Sequence, residues 1–161
     1  MSVIIREIEQ SDNKSIADLI REVFREFKIE HQPGTVYHDP TTDHLFELFD
    51  RSDSIYWIAE ENKEILGGCG IYPTEGLEEG CAELVKFYVK AESRGKGTGL
   101  VLLQKCIDSA RKLGYRKLYL ETLPELSRAV GMYERAGFKH IPNRMGDSGH
   151  FSCYIWMLLE I

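Results

Sequence analysis

One strand–loop–helix segment constrains this chain more than any other feature. Ala82-Glu-Leu-Val-Lys-Phe-Tyr-Val89 is dominated by β-branched, aliphatic and aromatic residues and reads as a strand. It runs into Arg94-Gly95-Lys96-Gly97-Thr98-Gly99, and from Leu100 to Leu113 the pattern becomes helical. Leu103, Cys106, Ile107, Ala110 and Leu113 form one apolar stripe, with Gln104, Lys105, Asp108, Arg111 and Lys112 on the wet side. Gly114 is placed to end the helix. Three alternate glycines let backbone approach a ligand closely. The helix start that follows offers unpaired N–H groups and the positive end of a dipole. With Arg94 and Lys96 beside it, the segment predicts a site for a phosphate-bearing ligand.

The rest of the chain supplies a sheet for that segment. Val3 to Ile8 predicts a first strand. Ile16, Leu19, Ile20, Val23, Phe24 and Phe27 then follow the one-face spacing of a helix capped by Ser11 or Asp12. Residues 28–41 carry Pro33, Gly34 and Pro40 and read as a loop, followed by a short helix over Asp43 to Phe49. Ile55 to Glu60 and Ile65 to Tyr72 predict a hairpin around Glu61-Asn-Lys63. Pro73 to Gly80 is an acidic loop. Beyond the long helix come a strand at Lys117 to Thr122, a helix at Pro124 to Ala136, a short strand at Phe138 to Ile141 and a last strand at Tyr154 to Leu159. Hairpins early and a strand–helix–strand crossover at 82–122 predict an α/β fold. The expectation is one domain over 1–161, a mixed sheet of about six to seven strands with about four helices on both faces.

Several function classes drop out. The 20 basic and 26 acidic residues give a net charge of -6, which argues against a nucleic-acid partner. The four cysteines, Cys69, Cys81, Cys106 and Cys153, include no CxxC pair. They read as free thiols in a reducing compartment. His150 and Cys153 form a lone HxxC without a second pair, so no metal site is expected. No apolar run reaches the roughly 18 residues of a membrane span, and charge within the first seven residues argues against a secretory leader. The expected location is cytoplasmic, with no membrane partner.

Two common phosphate motifs also fail. GxxxxGK[ST] is absent, and a GxGxxG fingerprint begun at Gly95 would need glycine where Leu100 stands. What does match is [Q/R]-x-x-G-x-[G/A], at Arg94, Gly97 and Gly99, after a strand and before a helix. Here the chain resembles the GNAT superfamily of N-acetyltransferases. Glu83-Leu-Val-Lys-Phe-Tyr-Val89 is similar to the family's fourth strand. Ala129-Val-Gly-Met-Tyr133-Glu-Arg-Ala-Gly137-Phe138 is similar to its A-x-x-x-Y-x-x-x-G-F segment, and Ile5 to Asp12 is a typical start. Residues 28–54 and 140–153 carry little of the resemblance.

The resemblance implies acetyl-CoA as co-substrate and direct attack by a primary amine in a ternary complex. It implies that the N–H groups of Gly95, Lys96, Gly97, Thr98 and Gly99, with Arg94, hold the pyrophosphate. The backbone of Phe87, Tyr88 and Val89 would pair with the pantetheine arm, and an N–H near Tyr88 or Val89 would serve as oxyanion donor. Tyr133 falls where the family's tyrosine faces the CoA sulfur. Its neutral phenol is a donor at pH 7, so it is the expected general acid, the other reading being a packed helix residue whose hydroxyl only positions the cofactor. Glu83 matches the glutamate used as base in one branch of the family. Strand alternation puts it on one side with Val85, Phe87 and Val89, where a carboxylate is either paired or raised in pKa. Glu83 also has a second reading, a solvated strand-edge carboxylate with no role, a water chain then serving as base as the resemblance allows. Leu126 stands where the family often has an asparagine, so that polar contact is not expected. The acceptor, a small-molecule or protein amine, would meet residues 28–44 and 140–154. Their histidines His38 and His44 are read as solvated. A non-catalytic acyl-CoA-binding module is the alternative function. Phe151, Tyr154 and Trp156 leave the choice between monomer and homodimer open.

Overall fold

A computed structural model describes residues 2–161. Seven strands form one sheet: β1 (Ile4–Glu7), β2 (Ile55–Glu61), β3 (Glu64–Tyr72), β4 (Cys81–Val89), β5 (Lys117–Thr122), β6 (Lys139–His140) and β7 (Ile155–Glu160). Their order is β1-β2-β3-β4-β5-β7-β6. Every pairing is antiparallel except β4 with β5, which the crossover helix makes parallel. The helices α1 (Asn13–Glu26) and α2 (Leu45–Phe49) cover one face, and α3 (Thr98–Lys112) and α4 (Val130–Arg135) the other. The mixed α/β sheet expected from the sequence is therefore present.

Each face has its own core. Ile16, Leu19, Ile20, Val23 and Phe24 of α1 are all buried, and they pack with Leu45, Phe49 and Ile58. The stripe of α3, from Leu102 to Ala110, packs on Cys69, Ile71, Leu84 and Leu118 across the sheet, whereas Leu113, expected in the stripe, is exposed at the helix end. That helix starts two residues earlier than its apolar pattern implied, because Gly97 at φ 88° serves as its N-cap.

Two other elements differ from expectation. Pro124 to Ala136 is not one helix: a 3-10 segment, Pro124–Ala129, precedes α4, and Leu126 leaves helical geometry at φ -100° and ψ 19°. Pro40–His44 is likewise a 3-10 turn ahead of α2, held by the Asp39 carboxylate accepting from the Thr41 N–H.

The decisive irregularity lies in β4. Gly70 pairs with Val85 but Gly68 pairs with Tyr88, so two residues of β4 oppose one of β3. Lys86 sits at the bulge with φ 52°, a left-handed conformation that costs a non-glycine residue about 1–2 kcal/mol. The glycines of β3 make the bulge possible. A Cβ at Gly68 or Gly70 would lie 2.6 Å from the Tyr56 side chain. Without those Cβ atoms the Tyr56 ring crosses β3, and its hydroxyl donates to the Lys86 carbonyl at 2.7 Å. The extra residue reverses side-chain alternation. Glu83 and Val85 share a face with Tyr88, while Phe87 and Val89 turn to the α3 face. The expectation that Glu83, Val85, Phe87 and Val89 share one side is corrected: only Glu83 and Val85 do.

Candidate active site

The parallel pairing of β4 with β5 runs only from Cys81–Lys117 to Glu83–Tyr119. Past Glu83 the strands part, and no strand takes up that edge of β4. The gap opens a cleft of about 720 Å³, within the range of small-molecule and cofactor sites. Because the gap passes through the sheet, side chains from both faces reach it. Glu83, Tyr88, Gly97, Gly99 and Tyr133 all line this one cleft.

At one end stands the glycine loop. Gly95 and Gly97 have φ of 75° and 88°, and a Cβ on either would meet nothing within 4 Å. Their requirement is conformational, and the space beside them is open to a ligand. Lys96 is exposed and Thr98 is buried in the first turn of α3; neither lines the cleft. Arg94 does line it, but its guanidinium is engaged within the protein. Both terminal nitrogens donate to Glu26 of α1, at 2.7 and 2.9 Å, and Nε donates to the Val89 carbonyl at 3.1 Å. Arg94 braces the loop against α1 before any anion arrives.

Tyr133 comes from the other face. Its ring packs edge-on between Phe87 and Phe138, at centroid distances of 6.1 and 5.8 Å. Burial pushes its phenol well above the ordinary range, so it carries its proton at neutral pH.

Glu83 is 3% exposed, which removes the solvated-edge reading. Burial, then the charge of Glu121, push its carboxyl up to about 8. The Thr74 hydroxyl donates to Glu83 Oε1 at 2.6 Å. Glu121 itself is held by the Tyr119 hydroxyl at 2.7 Å, by the Ser148 hydroxyl and by Arg144 Nε at 3.4 Å.

A second cluster was not anticipated from the sequence. The Lys86 side chain is 4% exposed and reaches Asp39 Oδ2 at 3.3 Å, and His150 Nε2 lies 2.8 Å from the same oxygen. Burial works to raise the Asp39 carboxyl, but His150, Lys86 and Thr41 overcome it and hold the group well below the carboxylate range. Burial lowers the Lys86 ammonium, with Asp39 opposing. This cluster ties the loops 28–44 and 140–154 to the bulge. The available signal was a lysine between the apolar residues Val85 and Phe87 of a strand. Of the other histidines, His38 is held at 2.7 Å from the Glu30 carbonyl. Among the described residues no group of three or more His, Cys, Asp or Glu is arranged to hold a metal ion. Among those residues no helix is long and apolar enough to cross a membrane.

Comparison with known proteins agrees with this architecture. The model of the acetyltransferase (GNAT) family matches residues 15–138. The chain is 36% identical over 160 residues to the uncharacterized N-acetyltransferase YjgM of Escherichia coli K12, covering 99% of this chain and 96% of that one. A GNAT-family acetyltransferase of Staphylococcus aureus superposes with a TM-score of 0.84 at 20% identity, over 99% of each chain. The PaiA N-acetyltransferase of Thermoplasma acidophilum, solved with coenzyme A, superposes with a TM-score of 0.78 at 20% identity over the whole of each chain. The chain belongs to the acetyltransferase (GNAT) family, and its chemistry is acetyl-CoA-dependent N-acetyl transfer.

Proposed function

We propose that this chain acetylates a small primary amine by direct attack in a ternary complex, with Glu83 as base and Tyr133 as acid. The observation that carries the reading is the parting of β4 from β5 beyond Glu83, which lets a carboxyl from one face and a phenol from the other reach a single cleft.

The residues present fit the co-substrate. The open backbone at Gly95 and Gly97, at the start of a helix, suits a pyrophosphate. The edge of β4 at Phe87, Tyr88 and Val89, without a strand beside it, offers main-chain groups to an amide-bearing arm. Bound acetyl-CoA supplies an acetyl group already activated as a thioester.

The protein's own residues do the rest. Glu83, in the form left ionised above pH 8, removes a proton from the ammonium or the attacking amine at a carboxylate oxygen. Tyr133 holds its proton at Oη and delivers it to the leaving sulfur. N–H groups freed where the bulge interrupts the β3–β4 ladder are the oxyanion donors. Val23, Phe24 and Leu123 line the cleft and exclude water from it.

Four free, buried cysteines fit a reducing, cytoplasmic setting. A non-catalytic acyl-CoA-binding role is not favoured, since it gives no reason to bring Glu83 and Tyr133 to one cleft. The test is thiol release from acetyl-CoA by the purified protein across a panel of primary amines. Turnover with at least one small amine, lowered roughly 10²–10⁴-fold in Glu83→Gln, is expected. Tight acetyl-CoA binding with no thiol release for any small or peptide amine would overturn the reading.

A further inference from the structure

Two side chains outside the acid–base pair bear directly on Glu83. Thr74 lies at the start of the acidic loop after β3, and its hydroxyl is the hydrogen-bond donor to Glu83 Oε1. Glu121 lies on β5. Glu83 pairs in register with Tyr119, so Glu121, two residues on, shares the face of Glu83 across the widening gap.

The two loops that hold these groups are docked on each other. The Asp147 N–H donates to the Glu75 carbonyl at 2.7 Å, and a Cβ on Gly76 would lie 3.1 Å from Gly146. From the second loop, Ser148 and Arg144 hold Glu121. One loop pair thus fixes both neighbours of the base.

We propose that Thr74 and Glu121 are positioning residues for Glu83, Thr74 through its hydrogen bond and Glu121 from the same face of the neighbouring strand. The Thr74 hydroxyl favours the charged carboxylate and the Glu121 charge disfavours it, so the two adjust, on top of burial, the pH at which Glu83 accepts the amine's proton. This rests on the reading of Glu83 as base.

The directions of the two effects on the Glu83 carboxyl agree: Glu121 raises it and Thr74 lowers it, against a larger upward push from burial. Other groups facing Glu83 are Lys86 on its own strand, Tyr119 on β5, and the thiols of Cys81 and Cys153. The Lys86 charge lowers the Glu83 carboxyl and is itself paired with Asp39. Both thiols are raised by burial, to about 11 and about 12, and stay neutral across the working range.

The test is a 13C NMR titration of the free protein with 13C-carboxyl glutamate, which needs no acceptor. The Glu83 resonance is identified by its loss in Glu83→Gln. Thr74→Val, close in shape and lacking the hydroxyl, moves the Glu83 midpoint up by about one pH unit, the size of one hydrogen bond to a charged group. Thr74→Ser restores it. Glu121→Gln moves it down by a similar amount. Should Glu121→Gln fail to fold, Arg144→Gln leaves the Glu121 charge in place but unpaired and moves Glu83 up.

A purely structural role would shift the Thr74 and Glu121 variants in the same direction or not at all. Either outcome overturns the proposal. The acidic limb of kcat/KM with the acceptor from the amine panel follows the same shifts, about tenfold in rate per pH unit below the limb. A limb that persists in Glu83→Gln defeats the base reading itself. Unmoved NMR midpoints with a limb lost in Glu83→Gln defeat only the roles of Thr74 and Glu121.

Discussion

Replacing Glu83 by glutamine separates the energetic cost of this carboxyl from its use. The folded protein holds the group at about 8 against an ordinary 4.5. A raised pKa means the folded state binds the proton more tightly than the unfolded chain does. The stabilisation is fully present below 4.5 and is lost as pH rises through 8. At about 1.36 kcal/mol per pH unit, the loss across that window reaches about 5 kcal/mol as an upper limit. Glu83→Gln has no charge to bury, so the variant gains on the wild type with rising pH and levels off above 8. Urea unfolding of both proteins at half-unit steps from pH 5 to 9 measures the difference, and titrating groups remote from Glu83 cancel between them. The same substitution abolishes the acidic limb of kcat/KM. Stability curves that stay parallel over the whole range would refute the burial argument. A surviving limb would refute the catalytic one.

Three further outcomes follow from the same geometry. Tyr133→Phe keeps the ring stack with Phe87 and Phe138, so kcat falls roughly 10²-fold or more while acetyl-CoA affinity by calorimetry hardly changes. An equal loss of both would make Tyr133 a positioning residue. Gly97→Ala meets no neighbour but keeps φ at 88°, so it destabilises by about 1–2 kcal/mol and weakens CoA binding, read by thermal melting and titration. Asp39→Ala strands the buried Lys86 ammonium and costs roughly 3–5 kcal/mol. The double variant Asp39→Ala with Lys86→Met recovers much of that in denaturant unfolding, and a double variant as unstable as the single would deny the pairing.

The glycine loop, the α3 stripe and the α1 spacing were legible because each is a local pattern. Glycine, turn residues and 3.6-residue periodicity act within a few positions. Arg94 was legible as a cation of the loop but not as a brace, since Glu26 lies 68 residues away. The bulge at Lys86 was hidden for the same reason. Its cause sits on β2 and β3, in Tyr56 and the glycines beneath its ring. Alternation read along β4 alone therefore put Phe87 and Val89 on the wrong face. The kink at Leu126 breaks the expected helix over Pro124 to Ala136.

By itself the sequence determined the order of the strands and helices and the glycine-rich turn between β4 and α3, because backbone conformation and amphipathic periodicity are short-range properties. Only the tertiary structure decided that β4 parts from β5 after Glu83, and that Thr74, Glu121, Lys86, Asp39 and His150 gather around the gap. Burial and the field of distant charges set the Glu83 proton affinity, and neither exists until strands far apart in the chain lie side by side.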